Sequence, residues 1–494
     1  MFVRKSVEAL QEESGSHGLK RTLGPFNLLF MGVGCIIGAG VYVMTGTAAA
    51  NFAGPAVTLS FVLAGAACAL TALCYAELAS TMPVSGSSYT YCFATLGEGP
   101  AWMLGWLLLL EYGLASAILA VGFSGYLASL VNDFGWRIPP VISTAYWQPT
   151  DGTIVVTGNF NLIAALAVAA ATIVLTLGVR ESAFANNVIV TVKLLVLAAF
   201  IIVGASAIQP NHWTPFIPPH EGGFTYGWPG VLRAASILFF AFLGFETVAT
   251  AASETKNPQR DMPFGILGAL AVCTVTYVIF SAVLTGIVPY AELGVADPVA
   301  VAADRMGRPQ FASLIKFGAL MGLCSVLLVI AYGQSRVAFA MARDGLLPKM
   351  FCELHGRFRT PHLGIILLGV ISATAAALLP ISILSDLVSL GTSLAFSIVC
   401  ISVMWLRTLR PDLRRPFSVP FGGFHIGRVW VGYVPMAAIL LCWTMIVPVA
   451  LDLIRQAKQG SYVPIVVLIA YLATGVGIYL CYGLRSPRQP VTQA

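Results

Sequence analysis

With 494 residues, 58% of them hydrophobic and only 10% charged, and a mean hydropathy of +0.85, the chain lies far from the roughly 25% charged content of soluble domains and reads as an integral membrane protein. Its net charge of +6 gives no case for nucleic-acid binding, because the basic residues are distributed as membrane orientation requires. The ten cysteines form no Cys-x-x-Cys pair, and the absence of a His-Glu-x-x-His run or a paired nucleophile and base argues against a metal site and an enzyme.

An apolar run of about 20 residues spans the hydrocarbon as a helix. Twelve such runs are predicted, at 26–50, 55–80, 100–130, 160–178, 186–207, 229–251, 263–288, 312–340, 362–380, 384–407, 429–453 and 463–484. The first is too long and glycine-rich for a signal peptide. An N-terminus on the inside puts eighteen Lys and Arg residues in inside segments against five in outside ones, so cytoplasmic N- and C-termini are expected. Absent Asn-x-Ser/Thr acceptors and outside cysteines fit a bacterial inner membrane. Two outside loops, about 132–159 and 208–228, are rich in Pro, Gly, Asn and aromatic residues and read as ordered caps.

Two spans carry glycine clusters: Gly32-Val33-Gly34-Cys35-Ile36-Ile37-Gly38-Ala39-Gly40 in the first and Phe239-Phe240-Ala241-Phe242-Leu243-Gly244-Phe245-Glu246 in the sixth. Glycine costs about 1 kcal/mol relative to alanine inside a helix, so each cluster marks a place where the helix unwinds cheaply. Unwound backbone survives in a membrane only where it is buried in protein or lines a cavity. Paired breaks in two halves point to a transporter whose first five spans repeat as the next five, inverted because the first span starts inside and the sixth outside. The expected organisation is an N-tail at 1–25, repeats at 26–207 and 229–407, an appended pair at 429–484 and a C-tail at 485–494.

A broken helix offers N–H groups at the start of its second half and C=O groups at the end of its first, which together match an amino acid zwitterion. The carboxylate is expected at Ala39 and Gly40, the ammonium at the carbonyls of Ile36, Phe240 and Leu243, with Phe240 and Phe242 as shields. Ile37 and Gly38 complete the candidate binding set at the first break. The alternative reading of Gly34-x-x-x-Gly38 is tight helix packing.

Lys193 stands in the middle of an apolar run, where insertion of a lysine costs about 2.5 to 3.5 kcal/mol. It reads as a proton carrier, held by carbonyls of the first break, or as a snorkelling side chain about 10 Å from the inside end. Glu111 is either a partner for a cation or a packed, protonated group. Glu246 caps the broken sixth span or takes part in an inside gate, and Ser325 bonds the backbone four residues back or faces the coupling site.

The Gly34-to-Gly40 run, Pro83-Val84-Ser85-Gly86-Ser87-Ser88-Tyr89 and Glu254-Thr255-Lys256-Asn257-Pro258-Gln259-Arg260-Asp261-Met262-Pro263 resemble the amino acid-polyamine-organocation permeases, over nearly the whole chain. Arg343-Asp344-Gly345-Leu346-Leu347-Pro348 and Leu110-Glu111-Tyr112-Gly113 resemble bacterial relatives of the cationic amino acid transporters. The resemblance implies an all-α, twelve-helix, five-plus-five inverted-repeat fold of the LeuT type with helices 1 and 6 broken, and rocking of spans one, two, six and seven against three, four, eight and nine. It places backbone ligands on Ile36, Ala39, Gly40, Phe240, Ala241 and Leu243, and the coupling lysine on Lys193. The expected function is proton-coupled symport of a small neutral or cationic L-amino acid, with no cofactor but the proton. Exchange, polyamine carriage and a non-translocating nutrient sensor are the alternatives. The expected partners are the amino acid substrate and membrane lipid; the sequence leaves a small membrane subunit open.

Overall fold

The structure, a computed structural model, describes residues 23–83, 87–150, 153–178 and 183–483 and is mostly helical. Among the described residues nine helical stretches are long and apolar enough to cross a membrane; the first, Pro25–Thr81, has 57 residues, enough for two passages. Two shorter apolar helices, Leu162–Thr176 and His362–Leu378, accompany them. The chain is a multi-pass membrane protein.

Helix α1 (Pro25–Ile36) starts with proline at its first position, where a missing N–H costs nothing, and stops at Ile37, which is extended with φ −73° and ψ 97°. Helical geometry resumes over 40–53, wound partly as π turns. The chain reverses at Gly54, whose φ of 60° suits glycine, and enters α2 (Val57–Thr81). The connection predicted between the first two spans is thus helical, with one glycine making the turn. Next come α3 (Ser87–Thr95), the 36-residue α4 (Glu98–Asp133), α5 (Leu162–Thr176) and α6 (Ala183–Ala205).

The second break follows α7 (Gly227–Leu238). A 3-10 turn, Phe239–Phe242, leads into Leu243 and Gly244, and a further 3-10 segment runs Phe245–Glu254. The second half of this span is more tightly wound than the α-helix expected at 229–251. Then follow α8 (Pro258–Ile287), the short α9 (Pro298–Arg305), α10 (Pro309–Arg343), α11 (His362–Leu378), α12 (Ile381–Leu409), α13 (Tyr433–Lys458) and α14 (Val463–Ile478).

Two small hairpins correct the purely helical expectation. Strands β1 (Trp147–Thr150) and β2 (Thr153–Val156) pair antiparallel within the predicted cap at 132–159, and β3 (Gly423–Ile426) pairs with β4 (Val429–Gly432) before α13. The eleventh span therefore begins at Tyr433 instead of 429. Val429-Trp430-Val431 prefers a strand once Gly427, at φ 61°, closes a tight turn onto β3. Helix α3, in the connection between the second and third spans, is absent from the twelve predicted runs; Cys92 is buried within it. Most of the expected N-tail, the whole expected C-tail, Arg180 and the Val84-Ser85-Gly86 piece of the serine-rich motif lie outside the described residues.

Long-range polar contacts tie the ends of the helices. Tyr89 of α3 donates to Asp344 at 2.9 Å, joining two of the motifs on which the family resemblance rests. Glu77, fully buried at the end of α2, takes both Arg407 Nε (2.8 Å) and the Arg407 Nη2 contact, and accepts from Val419 N–H at 2.7 Å. On α10, the buried Lys316 bridges Asp133 (2.7 Å) and Asp304 (2.8 Å).

Asp297, preceding α9 in the connection from α8 to α10, is pushed up to about 6 by burial, against the opposing pull of Ser129 and Lys316. A raised carboxylate favours the folded state when protonated, and that preference is lost as pH rises from 3.8 through about 6. Asp297→Asn is therefore expected to raise the melting temperature more above pH 6 than near pH 3.8. An equal gain at both would place its effect in packing alone.

Candidate functional site

The two breaks meet each other. A Cβ on Gly40 would lie 2.4 Å from Ala241 Cβ and 2.5 Å from Ala241 Cα, so only glycine lets the first break rest on the second. Gly244, at φ 121°, has the backbone of Cys35 within 2.8 Å of its own Cβ position. Glycine at 40 and 244 thus serves close approach of one backbone to another, and at 244 also a conformation that other residues rarely take. Gly38 is tight as well, with Val326 of α10 at 3.1 Å from its Cβ position.

Beside this junction lies a small cavity of about 10 Å³, room for about one water molecule. The first break lines it with Cys35, Ile36, Gly38, Ala39 and Gly40, the second with Phe240, Ala241 and Leu243. Helix α4 adds Ala115 and Leu119, and α10 adds Val326 and Ile330. Seven of the nine residues in the candidate binding set line it; Ile37 and Phe242 do not. Ile37 instead turns its carbonyl toward Lys193 at 3.5 Å. Phe242 packs its ring against Tyr277 and Phe61, at 5.5 and 6.3 Å between centroids, which makes it part of an aromatic support under the break. Phe240 is the ring that reaches the cavity.

The freed carbonyls have found donors. Lys193, only 2% exposed, donates from Nζ to Gly34 O at 3.0 Å. Its side chain runs into the protein toward the break, not along the helix to the membrane surface. A hydrogen bond from a charged donor contributes about 1.5–3 kcal/mol, comparable to the cost of placing the lysine there. Tyr277 of α8 donates to Ile36 O (2.8 Å) and reaches Ala241 O (3.2 Å), one hydroxyl proton shared between both breaks. Tyr126 of α4 donates to Tyr42 O at 2.6 Å, holding the segment beyond the first break.

Glu246 accepts from Gly244 N–H at 2.8 Å, which caps the second half of the broken span, and receives the Tyr112 hydroxyl at 3.4 Å. Glu111 is fully buried on α4, facing Thr392 and Glu246. Ser325 donates to Gly322 O at 3.0 Å, a local bond three residues back on its own helix.

Sequence reasoning missed Tyr277, Tyr126 and the four cavity residues on α4 and α10. Tyr277 carried a signal: a hydroxyl in the middle of an apolar span needs an acceptor. The aliphatic residues carried none, since each reads as ordinary core.

The sequence profile of a family described as amino acid permease matches residues 23–475. The chain belongs to this family. The permease is 42% identical to a branched-chain amino acid permease of Bacillus subtilis over 98% of each chain. It is 44% identical to a methylthioribose transporter of the same organism, over 85% of this chain and 88% of that one. Against a vacuolar cationic amino acid transporter of Arabidopsis thaliana the identity is 38%, over 83% and 67% of the two chains. The permease is thus a member of the amino acid-polyamine-organocation superfamily, related to the cationic amino acid transporters, and a transporter in class, not an enzyme.

Because the methyl of alanine at position 40 would strike Ala241 backbone, Gly40→Ala is expected to force the breaks apart and cut transport by about tenfold or more, equivalent to at least about 1.4 kcal/mol. Gly24→Ala, where a Cβ meets nothing within 4 Å, is expected to transport normally. Uptake by cells expressing equal amounts of each variant measures both.

Proposed function

We propose that this permease is a secondary active transporter that carries a small L-amino acid together with a proton by alternating access. The observation that carries the reading is Lys193. It is a titratable ammonium, buried, and bound to a carbonyl that is free to accept it because the first helix is broken beside the cavity. Losing its proton weakens its hold on α1, so proton occupancy and the position of the broken helix are linked.

A zwitterion suits what the breaks leave. Its carboxylate would sit at the N–H groups of Ala39 and Gly40, which open segment 40–53. Its ammonium would take carbonyls at Ile36, Phe240 and Leu243, in competition with Tyr277 at Ile36. Ala115, Leu119, Val326 and Ile330 then surround the side chain. That lining is aliphatic and uncharged, which favours a small neutral side chain over a cationic one. The branched-chain permease among its relatives supports the same choice.

The reading includes twelve spans: the 57-residue stretch counts as two, and the two shorter apolar helices each cross. Spans one to five and six to ten form inverted repeats at 26–207 and 229–407, and 429–484 is an appended pair. Both termini lie inside a bacterial inner membrane, following the eighteen-to-five distribution of basic residues. No cofactor is needed, since the proton is the coupling ion.

Purified protein in liposomes is expected to accumulate labelled alanine or valine under an inward proton gradient, and to take up arginine poorly. Lys193→Ala is expected to retain substrate binding while its uptake no longer responds to the gradient. Unchanged coupling in that variant removes Lys193 from the mechanism. Trans-stimulated uptake without a gradient would identify an exchanger, and binding without flux a sensor.

A further inference from the structure

One charged cluster plays no part in the site described above. Arg233 lies on α7, seven residues before Phe240, about 10 Å along the same helix that breaks to form the cavity. Its side chain is 1% exposed. Nη2 donates to Asp386 on α12 at 2.7 Å and to Asp452 on α13 at 3.1 Å, carboxylates 5% and 18% exposed. The guanidinium plane lies 5.0 Å over the ring of Phe52, at the end of segment 40–53. One cation therefore joins the extracellular halves of both broken helices to α12 and α13.

The approach of the first broken helix is also built in. Phe52 O accepts from Tyr226 N–H at 2.9 Å, and a Cβ on Gly230 would lie 2.1 Å from that same oxygen. Only glycine at 230 allows Phe52 to come close enough for its ring to cover Arg233.

The guanidinium is poorly used for so buried a group. Both bonds come from Nη2, while Nε and Nη1 are buried with no hydrogen-bond partner among the described residues. Desolvating an arginine and two aspartates is costly, and incomplete hydrogen bonding leaves part of that cost standing. Replacing a buried ionic cluster by apolar residues of similar volume is often neutral or stabilising, so static stability alone gives little reason for this one. A cluster that is buried in one state and hydrated in another has reason to stay ionic, because water satisfies all of its groups when it opens.

We propose that Arg233, Asp386 and Asp452 form an ionic latch that closes the extracellular side of the pathway above the cavity. Its opening separates α7 and segment 40–53 from α12 and α13. Because Asp452 belongs to α13, a helix outside the proposed repeats takes a direct part in gating. The inference rests on the alternating-access reading and goes beyond it by naming the contact that must part.

Cys35 lines the cavity and serves as a built-in reporter. Right-side-out vesicles containing the full-length protein would be treated with a membrane-impermeant thiol reagent. Loss of uptake and the amount of reagent attached to the protein would both be followed in time, with Cys35→Ser as the control for the other cysteines. Asp386→Asn, Asp452→Asn and the neutral pair Arg233→Gln/Asp386→Asn are each expected to be inactivated several-fold faster than wild type from outside, and no faster from inside in inverted vesicles. Arg233→Lys, which keeps the charge but not the forked geometry, is expected to fall between.

Outside rates equal to wild type in all variants overturn the latch, as does loss of uptake with unchanged reagent access, which marks a purely structural role. Faster modification in Asp386→Asn but not in Asp452→Asn overturns the part assigned to α13. Monodisperse elution of each variant confirms that it folds. Wild-type protein that the reagent reaches from neither side would instead count against alternating access itself, a failure distinct from that of the latch.

Discussion

The structure depends on the contact between two interrupted helices. Each interruption leaves backbone groups that lipid cannot satisfy, so neither would persist facing the membrane. Gly40 resting on Ala241, and Gly244 on Cys35, brings them together inside the protein. Other helices then supply what is missing: an ammonium from α6, a phenol from α8, and a carboxylate that the second broken span provides for itself at Glu246. Take away the glycines and these donors have no reason to converge.

Those satisfactions differ in permanence. Glu246 caps Gly244 from two residues away, a short-range contact that moves with its own segment. Lys193 and Tyr277 reach from separate helices, 159 and 241 residues distant in sequence from the carbonyls they bind. Any motion of α1 relative to α6 or α8 must exchange those bonds for others. The long-range bonds are therefore concentrated at the first break, while the second is more self-contained.

Much of this was legible in the sequence, for reasons that can be named. Membrane residence follows from hydropathy, and the breaks from glycine clustering, because both depend on local composition. Lys193 stood out because a charge within an apolar run demands compensation. The shape of the cavity was not legible: Ala115, Leu119, Val326 and Ile330 look like any buried aliphatic residue until the fold brings them together. Phe242 misled for the opposite reason. An aromatic beside a break reads as lining, yet its direction is set by the 3-10 winding of Phe239–Phe242, which turns it toward Phe61 and Tyr277. The first hairpin escaped because short strands within a connection leave little periodicity to detect, and the second because the apolar Val429-Trp430-Val431 run was absorbed into the predicted eleventh span.

Under the proposed transport of a zwitterion, the backbone-on-backbone junction also divides the labour of recognition. Where main chains touch with no side chain between them, there is no volume to trade, so the breaks can answer only to the part of a solute that never varies. Variety would be accommodated on the facing wall, by Ala115, Leu119 and Ile330, whereas Val326 on that wall already packs against Gly38 of the first break. Such a partition makes selectivity evolvable at low risk. Trimming or enlarging Ala115, Leu119 or Ile330 would then alter which solute fits while leaving the Gly40–Ala241 and Gly244–Cys35 contacts in place.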